Sequence, residues 1–335
     1  MLKRVICTSI FITSISASAI ASNQIRAAGS STVYPFVTVA AEEFGRSGQF
    51  KTPIIESTGT GGGFKLFCEG VGEQTTDLAN ASRPIKQSER EQCTNNGVKD
   101  ITEIKIGYDG IVLANTLGAE KMDLTQEQLF KALAKMVPSD GKLITNPNKK
   151  WSDIDPSLPA HDIEIYGPPP TSGTRDAFVE LIMEHACEKF PEFKAAYPDK
   201  KALKEACHAI REDGVFIETG ENDNLIVQKI SNNDKALGIF GFSFLDQNSS
   251  YVQGAKISGV EPTFENISDG SYPVSRPLYV YLKDSHLDKT PGLREFAKEL
   301  VSSKAIGEEG YLIDKGLIPL SDEEFANVNE AVNSK

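Results

Sequence analysis

Apolar positions along the chain follow two periods, every second residue over short runs and every third or fourth over longer ones. Strands are predicted at Gln24–Ala28, Thr52–Glu56, Asp77–Ala81, Ile163–Tyr166, Ala236–Phe240 and Pro277–Leu282, with a long extended segment over Ile101–Ala114. Between them the spacing predicts helices over Pro35–Phe44, Phe64–Cys68, Ser88–Cys93, Leu129–Met136, Thr174–Phe190, Leu225–Ile230 and Leu293–Val301. The punctuation agrees. Pro35 sits in a first turn, Gly45 and Gly48 end the first helix, and Thr125 with Gln128 makes a capping box. Alternation of strand and helix over 335 residues implies an α/β chain of two lobes, each a mostly parallel sheet flanked by helices. No linker divides the chain, so the lobes are expected to share strands, with crossovers near Ile106–Val112 and Leu278–Leu282. That assigns residues 22–108 and 279–335 to lobe 1 and residues 109–278 to lobe 2. A cleft between such lobes can hinge shut on a ligand.

The first residues break this pattern. Lys3 and Arg4 precede an apolar, Ser-rich run from Val5 to Ile20, and Ala19-Ile20-Ala21 offers the small residues of a signal-peptidase site. Residues 1–21 are therefore expected to be a cleavable leader, placing the mature chain in the periplasm. Removing them also removes Cys7, which leaves Cys68, Cys93, Cys187 and Cys207. These fall into two local pairs, predicted as the disulfides Cys68–Cys93 and Cys187–Cys207 of an exported protein. Neither a CxxC motif nor His at zinc-ligand spacing accompanies them, so no metal or redox centre is expected. A net charge of −12 argues against nucleic acid and anionic membranes as partners.

Three segments share one design, with Ser, Thr and Gly placed where a strand gives way to a helix. They are Gly29-Ser30-Ser31-Thr32, Thr58-Gly59-Thr60-Gly61-Gly62-Gly63 and Thr171-Ser172-Gly173-Thr174-Arg175. At a helix start several N–H groups lack intrahelical partners and the dipole is positive, while Gly lets an anion reach the backbone. The expected ligand is a small oxyanion. Arg175 stands out because a planar guanidinium can give a tetrahedral oxyanion two charge-assisted hydrogen bonds.

Taken in order, Gly29-Ser30-Ser31-Thr32-Val33-Tyr34-Pro35, Thr58-Gly59-Thr60-Gly61-Gly62, Ala79-Asn80-Ala81-Ser82-Arg83-Pro84 and Thr171-Ser172-Gly173-Thr174-Arg175 resemble the signature segments of the periplasmic phosphate-binding proteins of bacterial ABC importers. The resemblance implies the type II periplasmic binding protein fold, with one dehydrated phosphate in the interlobe cleft and hinge strands joining the lobes. It also implies an inner-membrane ABC permease as partner; a monomer suits a receptor that must dock and leave, and neither cofactor nor catalysis is expected. Carried over, the phosphate contacts are Ser31, Thr32, Thr60, Ser82, Ser172, Gly173 and Thr174, with Ser30 and Gly61 as neighbours. The chain departs from one form of the family in two places. Arg83 stands where that form has an Asp that accepts the proton of hydrogen phosphate, and Pro168 where it has an Arg. Arg175 is expected to supply the missing guanidinium and Arg83 a second cation. For the missing carboxylate, Asp223 is the first choice and Asp109 the second.

Rival ligands are sulfate, molybdate and phosphonates. A rival class is a secreted Ser-dependent phosphatase using Ser31 or Ser172, but these motifs contain no His to serve as base. Trp151 is expected to pack within a lobe, and Asp322–Glu324 to form a solvated helix start.

Overall fold

The computed structural model describes residues 24–220 and 223–335. The expected leader, with Cys7, lies outside the described residues, as do Glu221 and Asn222 of the loop before Asp223. Nine strands make the main sheet. In chain order they are β1 (Arg26–Gly29), β2 (Ile54–Ser57), β3 (Leu78–Ala81), β4 (Ile101–Thr116), β5 (Ile165–Gly167), β6 (Phe216–Glu218), β7 (Leu237–Gly241), β8 (Val252–Gly254) and β9 (Ser275–Lys283). Across the sheet they run β2-β1-β3-β9-β4-β7-β5-β6, with β8 beside the far end of β4.

The long strand β4 gives this sheet two halves. Its residues Ile101–Gly110 pair antiparallel with β9, and Ile111–Ala114 pair antiparallel with β7. In the first half β1 lies parallel to both β2 and β3; in the second β5 lies parallel to both β7 and β6. β4 carries the chain from one half to the other, and β9 follows its return. Residues Ile111–Ala114 are all buried, as an apolar run covered on both faces must be.

Helices cover each half. Tyr34–Arg46 buries Phe36, Val37, Ala40, Ala41 and Phe44, a stripe at helical spacing, and Leu293–Leu300 meets it through Phe296, 5.3 Å from the Phe44 ring. Helix Thr60–Phe67 packs Phe64 edge-on to Tyr281 of β9 at 5.0 Å. Trp151 is fully buried, the packing role expected of it. Both predicted disulfides form. Cys68–Cys93 ties the end of Thr60–Phe67 to helix Gln87–Asn95, and Cys187–Cys207 ties two helices of the second half. Each closes a loop of moderate length, stabilising by about 3 kcal/mol in the chain-entropy account. Among the described residues no helix is long and apolar enough to cross a membrane.

Some elements differ from the sequence reading, each for an identifiable reason. The helix expected over Leu129–Met136 runs instead over Gln126–Leu133, with its Thr125–Gln128 capping box in place. It stops because Asn146 Nδ2 donates to the carbonyls of Lys131 and Ala134, and Met136 then opens a hairpin. That hairpin turns at Asp140-Gly141, both at positive φ, an Asp-Gly signal of the kind hairpins favour. The helix expected over Thr174–Phe190 is α-helical over Gly173–Phe178, widens to π over Val179–Glu184 and ends at Cys187. The acids at 322–324 do open a helix, but Glu324 is not solvated as expected. It accepts hydrogen bonds from Lys105 Nζ at 2.8 Å and Tyr108 Oη at 2.6 Å, clipping the C-terminal helix to β4.

Candidate anion-binding cleft

The first segment is shaped by one close approach. At Gly29 the chain has φ +149, and an added Cβ would lie 2.0 Å from the carbonyl oxygen of Asn80 on β3. Only glycine fits there. The next residue, Ser30, donates its N–H to that same oxygen at 2.9 Å, accepts the Tyr34 N–H on its carbonyl and the Val33 N–H on its hydroxyl. This tight turn puts Ser31 and Thr32 at the start of helix Tyr34–Arg46, where unpaired N–H groups gather.

The glycine run begins its helix earlier than expected, at Thr60 rather than Phe64. Gly63 is the reason, since a Cβ there would lie 2.5 Å from Gly29 Cα, so the helix start is pressed onto the end of β1. This brings Thr60 Oγ1 to 3.1 Å from Ser82 Oγ and 3.2 Å from the Ser82 N–H. From the second half, Ser172 caps the helical run at Gly173 by accepting the Thr174 N–H. Gly173 faces the first segment directly, its would-be Cβ 3.3 Å from Thr32 Cα.

Among the described residues, two cavities open at this junction. The larger, about 550 Å³, is walled by Thr58–Gly62, Ser82, Arg83, Lys86, Glu180, Leu181, Lys204 and Arg276, among others. A smaller one of about 290 Å³ is walled by Ser31, Thr32, Tyr34, Asp109, Thr171–Thr174 and Lys315, among others. Arg276 of β9 stands between them. Its side chain is 8% exposed; Nη2 donates to Thr32 Oγ1 and Nη1 to Glu180 Oε2, both at 2.6 Å. Its Nε faces Asp109 Oδ2 at 3.5 Å, an ion pair too long to be a hydrogen bond. Both Asp109 Oδ2 and Arg276 Nε are buried and find no hydrogen-bond partner among the described residues. Burial pushes the Asp109 carboxyl up, with Glu180 adding to the effect and Arg276 opposing it.

A profile of the PBP superfamily domain matches residues 14–304. The phosphate-binding protein PstS of Staphylococcus saprophyticus is 31% identical over 308 residues, covering 90% of this chain and 82% of that protein. Protein SphX of a Synechocystis species is 30% identical over 310 residues, covering 91% and 80%. Among solved structures, a possible phosphate binding protein from Planctomyces limnophilus superposes with a TM-score of 0.72 at 29% identity, covering 93% of this chain and 98% of that one. The chain belongs to the PBP superfamily, in the family of the PstS phosphate-binding proteins.

Within this PstS frame, the residues singled out in the sequence divide into two groups. Ser31, Thr32, Ser172, Gly173 and Thr174 wall the smaller cavity, while Thr60, Gly61, Ser82 and Arg83 wall the larger. Ser30 lies buried beside them. Arg83 is engaged already, bonded twice to Glu89 at 2.8 and 2.9 Å. Arg175 does not point into the cleft. Its guanidinium lies over the Phe216 ring at 4.4 Å, donates to the Pro168 carbonyl and sits 3.8 Å from Glu218. Asp223 is not among the walls of either cavity, and its Oδ2 accepts the Gly241 N–H at 3.1 Å. Burial lifts its carboxyl to about 6, against the pull of that bond and helped by the charge of Asp109. Arg276 and Glu180 were missed in the PstS-type motifs because they lie outside all four segments. The available signal for Arg276 was a lone cation heading the apolar strand Pro277–Leu282.

Proposed function

We propose that the chain is an exported, soluble receptor that binds inorganic phosphate between its lobes and delivers it to an ABC permease. Relatives named for phosphate binding support the ligand. The observation that carries the reading is Arg276, a buried guanidinium at the meeting point of hydroxyls and helix starts from both halves of the sheet. Such an array can replace the hydration shell of a dianion with oriented donors. The contacts on this reading are Ser31, Thr32, Thr60, Ser82, Ser172, Gly173 and Thr174 with Arg276, in place of the Arg175 of the sequence reading. The lobes are residues 22–108 with 279–335, and 109–278. The chain acts as a monomer in the periplasm after loss of residues 1–21. It is not a hydrolase on this reading, and no His stands among the cavity-wall residues named here that would deprotonate Ser31 or Ser172. Calorimetric titration with phosphate, arsenate and sulfate tests the ligand, with submicromolar phosphate binding expected. Absence of phosphate binding in the folded protein refutes the proposal.

Asp109 takes the role first given to Asp223. It lies in the cavity wall, whereas Asp223 is absent from both cavity walls described and its Oδ2 accepts the Gly241 N–H. Hydrogen phosphate brings one proton to share with the Asp109 carboxylate, and sulfate near neutral pH brings none, leaving two anions in contact. Asp109→Asn is expected to weaken phosphate binding on the order of 10- to 100-fold and to narrow the preference over sulfate. Unaltered selectivity in titrations of both anions would return the role to another group.

A further inference from the structure

Glu180 is an unexpected neighbour for an anion site. It sits in the wall of the larger cavity with its side chain 39% exposed, and it holds Arg276 Nη1 at 2.6 Å. Burial pushes its carboxyl up, but Arg276 and Lys204 outweigh this and hold it below the usual carboxylate range. Glu180 is thus a fixed negative charge on one edge of the guanidinium that the proposed site offers to phosphate. The two anions cannot both take that edge without strong repulsion.

The surroundings give Glu180 somewhere to go. Lys204 Nζ lies 3.4 Å from Glu180 Oε1 and the same distance from Glu184 Oε2, and Glu184 is also bonded to His208 at 2.7 Å. Both acids belong to the π-helical turn Val179–Glu184, which aims them at one lysine. Charges alternate along this row: Arg276, Glu180, Lys204, Glu184. A carboxylate that releases Arg276 keeps Lys204, so its charge is not stranded in a partly buried place.

We infer that Glu180 is an affinity-setting residue, an internal anion that competes with the bound oxyanion for Arg276 and retires to Lys204 when the oxyanion wins. The inference rests on the reading of Arg276 as a phosphate contact. Two consequences follow from linkage. Any share of Arg276 held by Glu180 lowers the apparent affinity by that share, and any support Lys204 gives to the retired carboxylate raises it. A merely structural Glu180 would do the reverse, since losing it would misplace Arg276 and weaken binding.

Titration calorimetry with inorganic phosphate on the full mature chain separates these cases. Glu180→Gln keeps the shape without the charge and is expected to tighten binding about tenfold. Lys204→Met is expected to weaken it by a similar factor in the wild-type background and to have little effect in the Glu180→Gln background. Unchanged or weaker binding by Glu180→Gln overturns the inference. So does an undiminished effect of Lys204→Met in the double variant, which would mean that Lys204 attracts phosphate directly. Arg276→Gln binding phosphate as well as wild type would instead refute the underlying assignment of Arg276, whatever the other two variants do.

Discussion

Replacing Arg276 by Ala is expected to lower phosphate affinity by at least about a hundredfold, since two charge-assisted hydrogen bonds are lost from a desolvated site. The effect has a second source. With the guanidinium gone, Asp109 and Glu180 remain as acids beside the cavity without their shared cation, and they repel the ligand that Arg276 attracted. Arg276→Lys keeps the charge but lacks the planar fork that can hold Thr32 and a ligand oxygen together, so it is expected to recover only part of the loss. Because removing a buried cation also costs stability, circular dichroism and a urea titration must accompany the calorimetry. The matched control is Arg175→Ala. That side chain is buried over Phe216 and bonded to Pro168, so its loss should lower the unfolding midpoint while leaving phosphate affinity within about threefold. Equal loss of affinity from the two substitutions would mean the guanidiniums had been assigned the wrong way round.

The largest effect on the fold is expected at Gly29. A methyl group there meets the Asn80 carbonyl oxygen at 2.0 Å, and the backbone sits at φ +149, which L side chains rarely adopt. Neither neighbour can move easily, because Asn80 belongs to β3 in register with β1 and its oxygen also accepts the Ser30 N–H. Gly29→Ala is expected to destabilise by at least about 3 kcal/mol, through backbone strain together with loss of that hydrogen bond. Gly59 gives the comparison. Its φ of +72 is also unfavourable for side chains, but nothing lies within 4 Å of an added Cβ. Gly59→Ala should therefore cost backbone strain alone, about 1 to 3 kcal/mol for this nearly glycine-only region at ψ 155. Urea midpoints for the two variants measure the difference, and similar values would show that crowding against Asn80 is not what fixes Gly29.

Backbone placement in the cleft was legible in the sequence because it depends on local chemistry. Ser30 to Thr32, Thr58 to Gly63 and Ser172 to Thr174 carry their turn geometry and caps within a few residues, and all three reach the junction. The sheet was legible for the same reason, as apolar runs bounded by glycine. The direction of a guanidinium is not local. Arg175 follows the motif directly, yet Phe216 and the Pro168 carbonyl hold it outside the cleft. Arg276 contacts Thr32 across a separation of 244 residues, which no spacing rule could have joined. The carboxylates make the same point. Asp223 opens a helix and gives one oxygen to the Gly241 N–H, while Asp109 reaches the cavity wall because β4 passes through the junction.

The order of strands bears on how such a chain can mature. β9, made of residues 275–283, lies between β3 and the opening stretch of β4, so the first half of the sheet stays split until that late segment has been made. Until then β3 and β4 present unmet edges, and pairing across so long a separation is slow. Closing that half, and with it the seat of Arg276 beside Thr32, is therefore a late step that waits on β9. The two cystine loops, each closed within a short stretch, do not depend on β9.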